Sequence, residues 1–278
     1  MRRLRSGCAC GRVATPLASG AASMSLSRAK DITAIPAKRW RGCGAVLLGA
    51  LLALGAEAPG ADNELPNSAT KPVPRDAAWL KRHEGFVELA KKGDVGVVFL
   101  GDSITDFWRY PEGQEVWNHY FRPLKAANFG IQSDRTEHVL WHVQNGELEG
   151  IEPRVVVLLI GTNNTGSNSA GEIAAGVQAI VQEIKAQKPA TKVLLLGIFP
   201  RGSKPTDAVR QKIKETNELL VKLDDGGQRV RFLDMGAKFL EPDGSLSPKI
   251  MPDATHPNKG GYKIWAKEME PALTELLK

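Results

Sequence analysis

Three apolar runs that each end on a glycine constrain this chain most: Val95–Leu100 before Gly101, Lys125–Phe129 before Gly130, and Val155–Ile160 before Gly161. Val193–Phe199 and Val230–Leu233 bring the set to five. Strands covered by helices on both faces read as near-continuous apolar runs, so these segments point to a buried parallel sheet. The stretches between them read as helices. Asp76 is a candidate N-cap for a helix whose stripe is Trp79, His83, Phe86 and Ala90, stopping at Gly93. Ser133 or Asp134 can cap a second helix that ends at Gly146. Ser169-x-x-Glu172 is a capping box ahead of Ile173–Gln187, where Ile173, Val177, Ile180, Val181 and Ile184 form one face. Thr206 or Asp207 can start a helix reaching Leu223, and Asn258 can cap a last one that Pro271 kinks. Strands alternating with helices predict an α/β fold, a three-layer α/β/α sandwich with a five-stranded, mainly parallel sheet, in one domain over residues 76–278.

The net charge of +6 does not belong to that domain. Residues 1–58 carry nine Lys/Arg and two Asp/Glu, which leaves 28 basic against 29 acidic residues beyond them. A near-neutral domain argues against nucleic acid as a partner. The leader instead has the layout of a secretory signal: Lys38-Arg39-Trp40-Arg41, the apolar run Ala45–Ala56, then small residues at Ala56-Glu57-Ala58. A run of about 12 residues is short of the roughly 20 that span a bilayer, so stable membrane insertion is not expected. The expectation is therefore a signal-bearing leader over 1–58, a flexible linker over 59–75 rich in proline and polar residues, and a secreted or periplasmic domain. The stretch before Lys38 is long for a signal, which leaves Met24 as an alternative start. Cys8, Cys10 and Cys43 all precede the domain, so it has no disulfide, thiolate nucleophile or cysteine metal site.

Open parallel sheets bind ligands beyond the carboxyl ends of their strands. Gly101-Asp102-Ser103, Gly130 and Gly161-Thr162-Asn163-Asn164 fall at those ends, and Asp253-Ala254-Thr255-His256-Pro257 precedes the last helix. One edge would thus collect a hydroxyl, an imidazole, a carboxylate, an amide and free N–H donors, the set that acyl transfer uses. Each piece has a plainer reading: Gly-Asp-Ser as a capped turn, the asparagines as Asx turns, Asp253-x-x-His256 as a capped loop. Together, and in this order, they favour catalysis.

The same stretches resemble the SGNH, or GDSL-type, hydrolase family, and within it the platelet-activating factor acetylhydrolase catalytic-subunit group. The resemblance spans residues 76–278 through Val97–Ile104, Asn128-Phe129-Gly130-Ile131, His138–Trp141 with Asn145–Leu148, Gly161–Asn164, Pro200-Arg201-Gly202 and Asp253–His256. It implies a flavodoxin-like SGNH fold in which Ser103 is the nucleophile, His256 the general base and Asp253 its orienter. The implied oxyanion donors are the Ser103 and Gly130 amides and the Asn163 side chain. Ile104 stands where the family has Leu, and Asn164 where Asp is common. The implied activity needs no cofactor and no metal. It is hydrolysis of a short-acyl, acetyl-type ester, with an O-acetylated glycan favoured by the export signal. A phospholipid acetyl ester, a lysophospholipid or a thioester uses the same apparatus, and the different-class alternative is a non-catalytic carbohydrate-binding domain. The relatives leave room for a homodimer.

Other residues invite readings of their own. His138 and His142 are four apart on one helix, a spacing metal sites use, but no third ligand is visible in the sequence, and packing or surface roles are favoured. His83 and His119 read as structural. Trp108 and Tyr110 are candidates for a substrate pocket or for core, Asp106 for a hydrogen bond within the nucleophile's loop, and Asp234 as an alternative acid.

Overall fold

The computed structural model describes residues 67–278. The expected leader with its expected signal, and residues 59–66 of the expected linker, lie outside the described residues. The elements are α1 (Ala77–Lys91), β1 (Val97–Gly101), α2 (Ser103–Asp106), α3 (Pro111–Tyr120), β2 (Ala126–Asn128), α4 (Thr136–Gln144), β3 (Val155–Leu159), α5 (Ala170–Gln187), β4 (Lys192–Leu196), α6 (Ala208–Leu220), β5 (Val230–Leu233) and α7 (Lys259–Leu276). The five strands form one sheet in the order β2-β1-β3-β4-β5, and every pairing is parallel. All five expected strands are present. β1 and β3 are buried at every position, which is why they read as unbroken apolar runs.

Alternate side chains of each strand enter two separate cores. Val98, Leu100, Val156, Leu158, Val193 and Leu195 pack under α1, α4, α5 and α6. Val97, Phe99, Val157 and Leu194 face the opposite layer, where Trp108, Phe121, Tyr262 and Trp265 supply aromatic bulk from the segment between α2 and α3, the residue capping α3, and α7. Helices on both faces and a period-2 split along each strand are what the three-layer expectation requires.

Two local expectations are corrected. Residues 67–75, read as part of a flexible linker, are bound to the domain. Asn67 donates to the Glu172 carbonyl at 3.2 Å, Asn168 donates to Ser68 Oγ at 2.9 Å, and Thr136 Oγ1 donates to the Ala69 carbonyl at 2.8 Å. Ala69 is fully buried. The segment holds by hydrogen bonds rather than apolar area, so composition alone made it look free. The second correction is at the start of α4, whose N-cap is Arg135 rather than Ser133 or Asp134. Asp134 cannot cap because its carboxylate is already taken by Arg75, Trp79 Nε1 and His142.

Candidate active site

Ser103 sits at the carboxyl end of β1, on the first residue of α2. The turn is tight. A Cβ at Gly101 would lie 2.3 Å from both the Leu159 carbonyl and Thr105 Oγ1, so only glycine fits there. Asp102 caps α2, its Oδ1 accepting the Ile104 amide at 2.9 Å, while its Oδ2 has no partner among the described residues. Burial pushes the Asp102 carboxyl up to about 7, against the pull of the Ile104 amide bond. Placing Ser103 first in the helix leaves its N–H without an intrahelical acceptor. Tyr262 on α7 locks the turn by donating to the Ile104 carbonyl at 2.8 Å.

The loop before α7 brings the other two groups. Ser103 Oγ is 2.8 Å from His256 Nε2, and His256 Nδ1 is 2.6 Å from Asp253 Oδ2. Asp253 Oδ1 also accepts the amides of Thr255 at 3.0 Å and His256 at 2.7 Å. These bonds curl the loop so that one carboxylate grips both the backbone and the ring of His256. The curl forces Ala254 to φ +56°, a left-handed conformation that costs a non-glycine residue on the order of 1 kcal/mol or more. Gly202 donates to the Ala254 carbonyl at 3.0 Å and holds that conformation. Burial raises the Asp253 carboxyl, but bonds from the His256 ring and amide outweigh it and leave it below its ordinary value. The sequence-predicted serine, histidine and aspartate therefore meet in one continuous relay.

The three expected oxyanion donors fare differently. Asn163 is half-buried and donates one Nδ2 hydrogen to the Asp134 carbonyl at 2.8 Å, which orients the amide and leaves its second hydrogen open. Gly130 packs directly on the Ser103 turn, since a Cβ there would lie 2.5 Å from the Asp106 amide. Its own N–H, however, donates to Asn128 Oδ1 at 3.0 Å and is not free as expected. Asn128 also donates to the Thr105 carbonyl at 2.9 Å, tying β2 to α2. The sequence placed Asn128 in the Asn128–Ile131 stretch but gave it no role; its position two residues before Gly130, the offset of an Asx turn, was the signal for one. Sequence reasoning missed Arg82, which bonds buried Asp106 and donates to the Gly130 carbonyl at 3.1 Å.

Asp106 accepts from Arg109 as well, so it holds the loop rather than facing substrate. Trp108 is fully buried and belongs to the core, whereas Tyr110 is 39% exposed. Tyr110 lines a cleft of about 450 Å³ with Phe107, Pro111, Pro252 and His256. A second cleft of about 640 Å³ is lined by Asn163, Arg201, Lys212 and Thr255 and shares Asp253 with the first. Asp234 is engaged by Gly236 and Asn217 and makes no bond to His256, which removes it as the alternative acid.

A parallel 2-1-3-4-5 sheet carrying a serine at the end of β1 and a histidine ahead of the last helix defines a flavodoxin-like α/β hydrolase of the SGNH type. The chain belongs to the GDSL-like lipase/acylhydrolase family, whose pattern matches residues 99–264, and it is an ester hydrolase. It is 39% identical over 209 residues to platelet-activating factor acetylhydrolase IB subunit alpha2 of Rattus norvegicus, covering 75% of this chain and 89% of that protein. A solved structure from Streptococcus pneumonia, described as a platelet activating factor, has a TM-score of 0.60 at 25% identity over 70% of this chain and 92% of its own. A GDSL-like lipase from Bacteroides thetaiotaomicron shares the fold, with a TM-score of 0.56 at 19% identity over 71% of this chain and 96% of that one.

Proposed function

We propose that this chain is a serine esterase that removes short acyl groups, acetyl foremost, from an O-acetylated carbohydrate, with Ser103 as nucleophile, His256 as base and Asp253 as orienter. The observation that carries the reading is the unbroken relay from Ser103 Oγ through His256 to Asp253, at 2.8 and 2.6 Å. Ser103 Oγ attacks the ester carbon while its proton passes to His256 Nε2. The tetrahedral oxyanion is held by the Ser103 amide, the open hydrogen of Asn163 and the Gly130 amide, the last by sharing or releasing Asn128 Oδ1. Collapse breaks the C–O bond, and His256 returns the proton to the departing alcohol. Water then attacks the acyl-serine, losing a proton to His256; collapse breaks the bond from the acyl carbon to Ser103 Oγ, His256 returns the proton to that oxygen, and the carboxylic acid leaves. Asp253 keeps Nδ1 protonated and stabilises the imidazolium throughout.

The acetyl preference rests on the relative named an acetylhydrolase, at 39% identity. The carbohydrate reading rests on the export-type leader and on the Tyr110 and Phe107 cleft beside His256, because aromatic faces with polar neighbours suit a sugar ring. Arg201 and Lys212 in the second cleft, each held by bonds to backbone carbonyls, support a second reading, an acetylated glycerophospholipid whose phosphate meets their remaining donors. Export before action, through cleavage near Ala58, is part of the proposal and is tested by sequencing the N-terminus of the secreted protein.

Nitrophenyl esters from acetate to octanoate test the acyl claim. Acetate is expected to turn over fastest and Ser103→Ala to abolish turnover; faster octanoate hydrolysis refutes a short-acyl site. Acetate release from acetylated xylo-oligosaccharide against a 2-acetyl glycerophospholipid then separates the two alcohols. Preference for the phospholipid overturns the carbohydrate reading.

A further inference from the structure

A closed polar cluster joins α1 to the end of α4, built from residues that the proposed hydrolysis does not use. His83 on α1, His142 on α4 and Glu147 in the following turn are 5%, 1% and 0% exposed. His83 Nδ1 and His142 Nδ1 face each other at 2.7 Å, and Glu147 Oε1 lies 3.6 Å from His142 Nδ1. The outer ring nitrogens fix the protonation. His83 Nε2 is 3.0 Å from the Asn145 carbonyl and His142 Nε2 is 3.1 Å from Asp134 Oδ2, and both partners only accept. Each Nε2 therefore carries a proton, and in the neutral rings both Nδ1 atoms present lone pairs to one another.

Two lone pairs and a carboxylate at such range need a cation between them. A single shared proton would satisfy the nitrogens but not Glu147, whose two oxygens have no hydrogen-bond partner among the described residues. A divalent ion satisfies all three groups at once. Donating the outer ring N–H to a carbonyl or carboxylate is also how metal-bound histidines are oriented. We propose that His83 Nδ1, His142 Nδ1 and the Glu147 carboxylate bind one divalent cation, zinc by the character of the ligands, as a structural tie between α1 and α4. Zn–N bonds of ~2.0–2.1 Å at tetrahedral angles put the two nitrogens about 3.3–3.4 Å apart, so they must part by about 0.6–0.7 Å from their 2.7 Å separation. Glu147 can supply both oxygens, and burial closes the site to substrate. The histidine that partners His142 is therefore His83, 59 positions away on α1, and not His138 four residues along the same helix.

The test uses the full chain, unfolded and refolded with or without zinc chloride because a buried site loads as the chain folds. After removal of loose ions, elemental mass spectrometry is expected to find one zinc per chain, with a melting temperature several degrees above that of the zinc-free sample. Glu147→Gln and His142→Gln are expected to retain less than a tenth of an equivalent. His138→Gln, on the same helix but outside the ligand set, retains zinc fully. X-ray absorption is expected to show nitrogen and oxygen ligands with no sulfur, which separates this site from Cys8, Cys10 and Cys43. No zinc in the wild type, sulfur ligation, or undiminished zinc in folded Glu147→Gln overturns the proposal.

Discussion

Replacing Asn163 by alanine separates a built oxyanion hole from a merely well-placed serine and histidine. The Asn163 amide donates one hydrogen to the Asp134 carbonyl at 2.8 Å. Asp134 is itself fixed, fully buried and held by Trp79 Nε1 at 2.7 Å and His142 at 3.1 Å. The second hydrogen is therefore oriented before substrate arrives, at no cost in reorganisation during the reaction. Losing one such donor removes ~10²–10³ from kcat, or about 3–4 kcal/mol of transition-state stabilisation. The fold loses one part-buried hydrogen bond, worth about 1 kcal/mol and about 2–4 °C for a domain of this size. Nitrophenyl acetate kinetics with a parallel thermal melt distinguish the two effects. The expected result is a kcat drop of ~10²–10³, a KM within about threefold of wild type and a small loss of melting temperature. A variant that melts normally and keeps kcat within about tenfold of wild type refutes the assignment of Asn163 to the transition state.

Three further outcomes follow from the same geometry. Asp253→Asn, which keeps the loop bonds to Thr255 and His256 but not the charge on Nδ1, is expected to lower kcat by ~10³–10⁴ with little change in KM; an unchanged kcat contradicts the orienting role. Asp102 is raised to about 7 in the fold, so its contribution to stability is full below its unfolded value near 3.8 and is lost as pH rises through 7. Urea unfolding from pH 5 to 8 is therefore expected to show Asp102→Asn gaining about 3 kcal/mol on wild type, whereas a constant difference refutes the burial argument. The comparison cancels every titration the two proteins share. Finally, Asn67→Ala removes bonds to Ala69 and Glu172 and is expected to destabilise by about 1–2 kcal/mol; no change in the melting temperature returns this segment to the status of a free linker.

The sheet was legible because strands buried on both faces admit little but aliphatic residues, and Val155–Leu159 announces itself on that ground alone. The relay was legible because each member sits at a chain position with a conformational signature: Ser103 after a strand-end glycine, and Asp253 and His256 three apart before Pro257. What stayed hidden depends on hydrogen bonds made at long sequence separation. Asn67 reaches residue 172, Arg82 reaches Gly130, and His83 meets His142, and no local pattern encodes such pairings. The misplaced cap of α4 has the same cause. Asp134 has the right chemistry for a helix start, but Trp79, Arg75 and His142 hold its carboxylate elsewhere.

The central claim is that Ser103 is the nucleophile, and covalent labelling tests it most directly. A fluorophosphonate probe incubated with the purified chain is expected to add one adduct mass, mapped by peptide sequencing to Ser103, and to leave Ser103→Ala unlabelled while folded. An adduct on another residue, equal labelling of the alanine variant, or an active enzyme that resists the probe contradicts the account.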